Sequence, residues 1–379
     1  MVDTIVPAQG VQSPRPVRPR LLGLEAGRFV AALLVACFHF SLAFKDMRNV
    51  YIFDMMFRPG HAGVEYFFVL SGFIIYHIHK GDIGRPERAR DFAIKRFLRL
   101  YPAFWMVSIT MLAAMMVMPS LEGKRDLGLT HLGLDFLLLP LNGDALLLQS
   151  WSLRHEIVFY ALFAIAILRA RVGIPILIGW QVASWTIGAM YPMTMPDALR
   201  PFLFIFNVGF GFGIGAAWLC ERWQPARPGW IALLGLTAFV GCMAWEWQIG
   251  RYWPVATRPL GPVASPLLYI SSATILIFGV TQYERMRPLP LAGLLRILGG
   301  CSYLLYLIHA PMGSFVIRIF NMGALKTVPN WAVFVAMIAA SIAASILAHL
   351  LFEKPFLLWA RSKLLKPRAA TPPQFATAR

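Results

Sequence analysis

The run LLGLEAGRFVAALLVACFHFSLAF, residues 21–44, decides the fold of this chain. It is long enough to cross a bilayer as a helix, because ~20 apolar residues span the ~30 Å hydrocarbon layer. It contains Arg28 and His39, and ionisable residues inside a membrane helix indicate function by default. These two are eleven positions apart. At 3.6 residues per turn, both side chains leave one face of the helix, ~16 Å apart along its axis.

The composition extends this interpretation to the whole chain. Of its 379 residues, 58% are hydrophobic and 14% are charged, whereas soluble domains carry about 25% charged residues. The mean hydropathy is +0.62. The sequence therefore predicts an all-α polytopic membrane protein whose partner is the lipid bilayer. The net charge of +17 does not indicate nucleic acid, since membrane proteins keep Lys and Arg on cytoplasmic loops.

Apolar runs predict about ten transmembrane helices, at residues 21–44, 61–79, 101–119, 152–168, 172–191, 201–219, 229–248, 264–281, 297–317 and 331–352. With both termini in the cytoplasm, 24 of the 35 Lys and Arg residues fall on the inner side. We expect residues 1–20 to be a disordered cytoplasmic segment, 21–355 a single ten-helix domain, and 356–379 a basic cytoplasmic tail. The first helix should act as an uncleaved signal anchor.

One outer loop is unusual. Residues 120–151 form the longest connection between predicted spans and contain LGLDFLLLPLNG, which is apolar but too short to cross the membrane. We expect an interfacial or re-entrant segment here.

Two polar positions could act near the outer surface. His39 could be a general base, because imidazole titrates near neutral pH, or it could form an interhelical hydrogen bond. Glu156, which we expect one turn inside the outer end of the fourth helix, could orient the His39 imidazole as a triad acid does, or cap a helix N-terminus. Arg154 and His155 would then lie at the outer rim.

The basic loop 80–100 ends in KRFLRLYP, residues 95–102. Arg96 and Arg99 are three apart, so they share a helix face, with a spacing suited to phosphates. Ordinary positive-inside charge is the alternative. With Arg28 on the same side of the membrane, they predict a site for an anionic cofactor.

Two further helices carry informative patterns. Ser302, Tyr306 and His309 lie along one side of the ninth predicted helix, where interhelical hydrogen bonds are the default interpretation. Residues 207–215, NVGFGFGIG, contain two overlapping GxxxG patterns. In a membrane helix these favour close packing over nucleotide binding.

Taken in order, these motifs resemble the acyltransferase-3 family of bacterial membrane acyltransferases, which modify cell-surface and secreted glycans. The motifs that carry the resemblance are Arg28-X10-His39, FFVLSGF (67–73), RFLRLYP (96–102), WSLRHEIVFY (151–160), SYLLYLIH (302–309) and EKP (353–355). They cover almost the whole chain.

The resemblance implies an O-acetyltransferase of the bacterial inner membrane, most similar to exopolysaccharide acetyltransferases. It would move acetyl from acetyl-CoA on the cytoplasmic side to a sugar hydroxyl of an outer glycan. His39 would be the catalytic base and Glu156 an active-site acid. Residues that would contact the donor are Arg28, Arg96 and Arg99, and those lining the active site are Ser152, Tyr303, Tyr306 and His309. No metal is implied.

Three alternatives stay open at this point. The acyl group could pass through a covalent acyl-histidine instead of moving directly. The chain could be a proton-coupled transporter or flippase for a glycan or lipid intermediate, because buried His, Arg and Glu suit that function too. The acceptor could also be a small hydrophobic molecule.

Overall fold

The structure is a computed structural model that describes residues 21–118, 125–192, 194–254, 258–287 and 289–365. The predicted disordered segment 1–20 and most of the predicted basic tail lie outside the described residues. The regular structure within them is helical, with no strand among them.

The helices follow the apolar runs of the sequence, with prolines at the first turn of several of them, where the missing N–H costs nothing. Their bounds are α1 Leu22–Arg48, α2 Gly63–His79, α3 Ala89–Val117, α4 Leu129–Phe136, α5 Ser150–Leu168, α6 Ala170–Met190, α7 Arg200–Leu203, α8 Val208–Arg222, α9 Pro228–Gly250, α10 Ala264–Met286, α11 Ala292–Ile319, α12 Asn330–Ala348 and α13 Lys354–Leu364. A π-helical turn, His349–Glu353, joins α12 to α13.

Within the described residues, 9 helical stretches are long and apolar enough to cross a membrane, which confirms a multi-pass membrane protein. The predicted span 201–219 is not one long helix. It is divided into α7, a 3₁₀ turn at Ile205–Asn207, and α8, which has 15 residues. The count of ten and the cytoplasmic placement of both ends stay predictions.

The glycines of α8 allow it to pack closely on α2. A Cβ on Gly213 would overlap the carbonyl oxygen of Val69, and one on Gly209 would press on Phe68. Gly72 of α2 approaches the backbone of Phe210 in the same way. The structure thus supports close packing as the role of the GxxxG pattern.

Helix α1 packs against α11 along one side and against α2 along another. Its small residues Ala31, Ala32 and Ala36 are almost fully buried. Gly299 of α11 lies against Glu25 at one end of α1, and Gly313 lies against Phe40 toward the other end. Arg28 and His39 therefore project into protein.

The segment 125–149, which precedes α5, enters the bundle. At the end of α4, the indole N–H of Trp105 donates to Phe136 O at 2.8 Å, and the Tyr101 hydroxyl donates to Leu137 O at 2.9 Å. Tyr101 lies about 24 Å along the helix axis from Val117, the C-terminal end of α3. This depth agrees with a re-entrant course, and helix α5 consequently begins inside the bundle.

A buried ion pair holds the re-entrant segment in place. Asp135 is 1% exposed and pairs with Arg154 of α5, and it also accepts hydrogen bonds from Leu146 N at 2.7 Å and from the Ser150 hydroxyl at 3.2 Å. His155 is buried as well, with Nδ1 2.7 Å from Asn207 Oδ1. The predicted rim position of Arg154 and His155 is therefore wrong, because α5 starts inside the bundle and both side chains are buried in protein.

Candidate functional site

A cavity of about 250 Å³ lies among α1, α2, α3, α5, α8 and α11. We call it the central cavity. It is lined by seven residues that the sequence singled out, Arg28, Arg96, Arg99, Ser152, Glu156, Tyr303 and Tyr306, together with Ser71, Tyr160 and apolar side chains that include Phe67, Phe68, Leu153 and Phe210. Residues from five separate motifs thus share one cavity.

Three arginines make one part of its wall cationic. The Arg96 guanidinium lies 5.9 Å from the Phe92 ring centre and 5.7 Å from that of Tyr160, and its Nε is buried without a hydrogen-bond partner. Within the described chain, neither Arg96 nor Arg28 forms an ion pair. Guanidinium groups without a carboxylate partner favour an anionic ligand at this wall.

The third arginine has a partner. Arg99 Nη1 lies 3.4 Å from Glu353 Oε1, and its guanidinium is 5.1 Å from the ring centre of Tyr303. The Tyr303 hydroxyl in turn donates to Leu100 O at 3.0 Å, so the ring is held in place beside the arginine.

Glu156 lies in this cavity and forms no hydrogen bond with His39. The Ser71 hydroxyl donates to Glu156 Oε1 at 2.9 Å, and the Tyr160 hydroxyl donates to the same oxygen. The predicted orientation of His39 by Glu156 is therefore wrong. The physical reason is depth: α5 begins inside the bundle, so Glu156 lies beside Tyr160 and Arg96 instead of near the outer surface.

The partner of His39 is His309. His309 Nε2 lies 3.0 Å from His39 Nδ1, and the two ring centres are 5.0 Å apart. His309 is fully buried and His39 is half-buried. We call these two residues the histidine pair. Neither contributes to the lining of the central cavity.

Backbone carbonyls determine where the protons of the histidine pair are. His309 Nδ1 lies 3.1 Å from Leu305 O and His39 Nδ1 lies 3.0 Å from Val35 O. A carbonyl oxygen can only accept, so both Nδ1 atoms carry hydrogen. The His39 Nδ1–H is then shared between Val35 O and the lone pair of His309 Nε2. Among the described residues nothing hydrogen-bonds His39 Nε2, which is left as a free basic nitrogen.

Tyr306 connects the central cavity to the histidine pair. It lines the cavity, its hydroxyl lies 2.7 Å from Ser152 Oγ, and its ring centre is 6.1 Å from that of His309. One helical turn of α11 separates Tyr306 from His309. The described parts of the chain bring together no group of three His, Cys, Asp or Glu side chains that could hold a metal ion.

Two features of this region were missed by sequence reasoning. Gln149 lies beside the histidine pair, because its Nε2 is 3.3 Å from His309 Nε2. A buried polar cluster also joins α2 to α9 and α10: His61 Nε2 is 2.8 Å from Glu246, Arg258 is 2.8 Å from Glu65, and the Tyr269 hydroxyl donates to Glu246 at 2.8 Å. No spacing signal marks Gln149, because its partner is distant in sequence. In the cluster, His61 and Glu65 are four residues apart and 3.8 Å from each other, but Glu246, Arg258 and Tyr269 are distant from them in sequence.

The fold and the site define a multi-pass membrane protein with an arginine-lined cavity and, beside it, two histidines in contact. A family model described as an acyltransferase domain matches residues 21–350. The chain therefore belongs to the acyltransferase-3 family and is a membrane acyltransferase. It is 28% identical over 326 residues to the exopolysaccharide production protein ExoZ of Rhizobium meliloti (strain 1021), covering 81% of this chain and 92% of that protein. No solved structure matches.

Proposed function

We propose that this protein is an O-acetyltransferase of the bacterial inner membrane. It takes acetyl from acetyl-CoA on the cytoplasmic side and transfers it to a sugar hydroxyl of an exopolysaccharide, or of its lipid-linked precursor, on the outer side. Family membership supports acyl transfer. The similarity to the Rhizobium exopolysaccharide production protein supports an exopolysaccharide acceptor.

One observation carries the proposal: Tyr306 joins the arginine-lined cavity to the histidine pair. In the proposed arrangement, the phosphates of CoA bind Arg28, Arg96 and Arg99, and the pantetheine arm lies in the central cavity. The thioester then reaches the region of Tyr306 and the histidine pair. Bidentate guanidinium groups are well matched to phosphate oxygens.

Glu156 has a different role in this arrangement from the one the sequence suggested. Its carboxylate, held by Ser71 and Tyr160, faces the cavity through which the arm of the donor would pass. The pantetheine arm has two amide N–H groups, which become buried donors once bound. We propose that Glu156 accepts a hydrogen bond from one of them.

His39 Nε2 is the proposed general base. It removes the proton from the acceptor hydroxyl while that oxygen attacks the thioester carbonyl carbon. The C–S bond of the tetrahedral intermediate then breaks, and the leaving thiolate takes the proton back from the His39 imidazolium. The products are the sugar ester and free CoA.

The same nitrogen could attack the thioester itself to form an acyl-histidine. Incubation with radiolabelled acetyl-CoA in the absence of acceptor separates the two routes: the protein becomes labelled only if the covalent intermediate forms.

The function is tested with purified protein in proteoliposomes, with labelled acetyl-CoA on one side and the exopolysaccharide or its lipid-linked precursor as acceptor. We expect acetyl transfer by the wild type, a loss of at least ~100-fold in the His39→Ala variant, and normal transfer by His131→Ala, a histidine in the outer segment. Movement of acceptor across the membrane without acetylation would favour the transport alternative. Unimpaired transfer by His39→Ala at normal abundance would refute the proposed base.

A further inference from the structure

Gln149 is a polar residue in an apolar bundle, placed where the re-entrant segment meets α5. It is 1% exposed. Its Nε2 lies 3.3 Å from His309 Nε2, and its Oε1 has no hydrogen-bond partner among the described residues. Burying an amide without one of its hydrogen-bond partners destabilises the fold, so a compensating role is expected.

The donor and acceptor pattern around His309 leaves one arrangement for this amide. Leu305 O accepts the Nδ1 hydrogen of His309, so a neutral His309 presents a lone pair at Nε2. Only a donor can face that lone pair, and the amide N–H of Gln149 is one. The second donor to the same nitrogen is the Nδ1–H of His39, 3.0 Å away.

The surroundings keep Gln149 in this position and His309 neutral. Gln149 is the residue immediately before the first turn of α5, and the Ser152 hydroxyl donates to its carbonyl oxygen at 3.1 Å. The N-terminal end of a helix carries a partial positive charge, which opposes a second positive charge on the neighbouring His309 imidazole.

We propose that Gln149 is a positioning residue that, together with the carbonyl oxygens of Leu305 and Val35, fixes the tautomers of both histidines. Its amide N–H keeps His309 Nε2 as an acceptor, His309 Nε2 keeps the proton of His39 on Nδ1, and Nε2 of His39 is thereby left unprotonated and able to act as the base. The catalytic half of this inference rests on the proposed function, whereas the tautomers themselves do not.

The test uses the full-length protein in nanodiscs with ¹⁵N-labelled histidine, and the His39 and His309 signals are assigned from single-site variants. Gln149→Glu is nearly isosteric but presents an acceptor to His309 Nε2, so it should place a proton there. His39 can then no longer donate to that nitrogen. Gln149→Leu removes the donor alone. Gln181→Leu is the matched control, because it removes a single amide donor, to Asn207 O, in α6.

In wild type and in Gln181→Leu we expect both histidines to be protonated at Nδ1 only. Gln149→Glu should protonate His309 at Nε2, alter the His39 signals, and lower kcat at least ~100-fold, while the KM for acetyl-CoA stays unchanged because Gln149 does not line the central cavity. Gln149→Leu should lower kcat by ~10-fold, the smaller part of a general-base effect. A merely structural role would change thermal stability without changing tautomers.

Unchanged histidine signals in both Gln149 variants would overturn the inference, whatever their activity. Altered signals with undiminished acetyl transfer would instead refute His39 as the base, and with it the catalytic half of the inference. Altered signals with lost transfer support both.

Discussion

Glu353 and Arg99 join the last described part of the chain to the wall of the central cavity, with Arg99 Nη1 3.4 Å from Glu353 Oε1. The second carboxylate oxygen of Glu353 lies 2.7 Å from His349 Nδ1. The π-helical turn carries both residues, with Glu353 against Arg99 of α3 and His349 against Gly300 of α11, and such turns are frequent at functional sites. Arg99 is thus partly neutralised, whereas Arg96 is not.

This difference predicts two kinds of arginine variant. Arg96→Gln should raise the KM for acetyl-CoA by about 10-fold or more, equivalent to losing ~1.4 kcal/mol or more of phosphate binding, and leave thermal stability unchanged. Arg99→Gln should raise that KM and also destabilise the protein by about 1–2 kcal/mol, because Glu353, 4% exposed, loses a partner. Kinetics and thermal unfolding of both variants measure this. Equal stabilities would refute the structural half of the prediction.

His309 should act on turnover and leave donor binding unchanged. His309→Leu removes the acceptor for the His39 Nδ1–H, so we expect kcat to fall by ~10–100-fold with an unchanged KM for acetyl-CoA. His309→Gln keeps a hydrogen-bonding group near the Nε2 position and should retain more activity than His309→Leu. Steady-state kinetics in proteoliposomes check this order, which a purely space-filling role of His309 would reverse.

The ion pair between Asp135 and Arg154 should be essential for folding. The Arg154 side chain is 6% exposed, and Asp135→Asn removes its carboxylate partner. We expect the free energy of unfolding to fall by about 3 kcal/mol or more. The double variant Asp135→Asn, Arg154→Met should recover much of this stability. Denaturation in detergent provides the measurement.

The matched control is the exposed pair of Asp197 and Arg200, which are 2.9 Å apart. Asp197→Asn should lower the free energy of unfolding by less than about 1 kcal/mol. If the single variants at Asp135 and Asp197 were equally stable, the ion pair would not be what holds the re-entrant segment.

Close packing between α8 and α2 can be tested with two glycines of one helix. Gly213→Ala places a methyl group on the carbonyl oxygen of Val69, which is part of the backbone and cannot move aside. We therefore expect the free energy of unfolding to fall by ~1–3 kcal/mol and the protein to be less abundant in the membrane. Gly215→Ala meets no atom within 4 Å and should be neutral. Thermal melts compare the two, and equal melting temperatures would contradict the packing shown.

The sequence contained enough to predict that Arg28, Arg96 and Arg99 lie together, as they do in the lining of the central cavity, but not the histidine pair. Helical periodicity predicted that Arg96 and Arg99 share one helix face. The positive-inside rule predicted that they lie on the same side of the membrane as Arg28. The depth of Glu156 could not be read correctly, because a re-entrant segment moves the start of α5 inward by an amount that apolar runs do not encode. The contact of His39 with His309 depends on how α1 and α11 pack, and no local pattern records that.

The shortness of α8 has a consequence for the surrounding lipid. Its 15 residues rise only about 22 Å, less than the ~30 Å of a typical hydrocarbon layer. A helix shorter than the bilayer is accommodated by local thinning, at a fraction of a kcal/mol per ångström of hydrophobic mismatch. Because Phe210 of α8 lines the central cavity, the proposed path of the acyl group runs beside this short helix, and host bilayers of greater thickness should slow acetyl transfer.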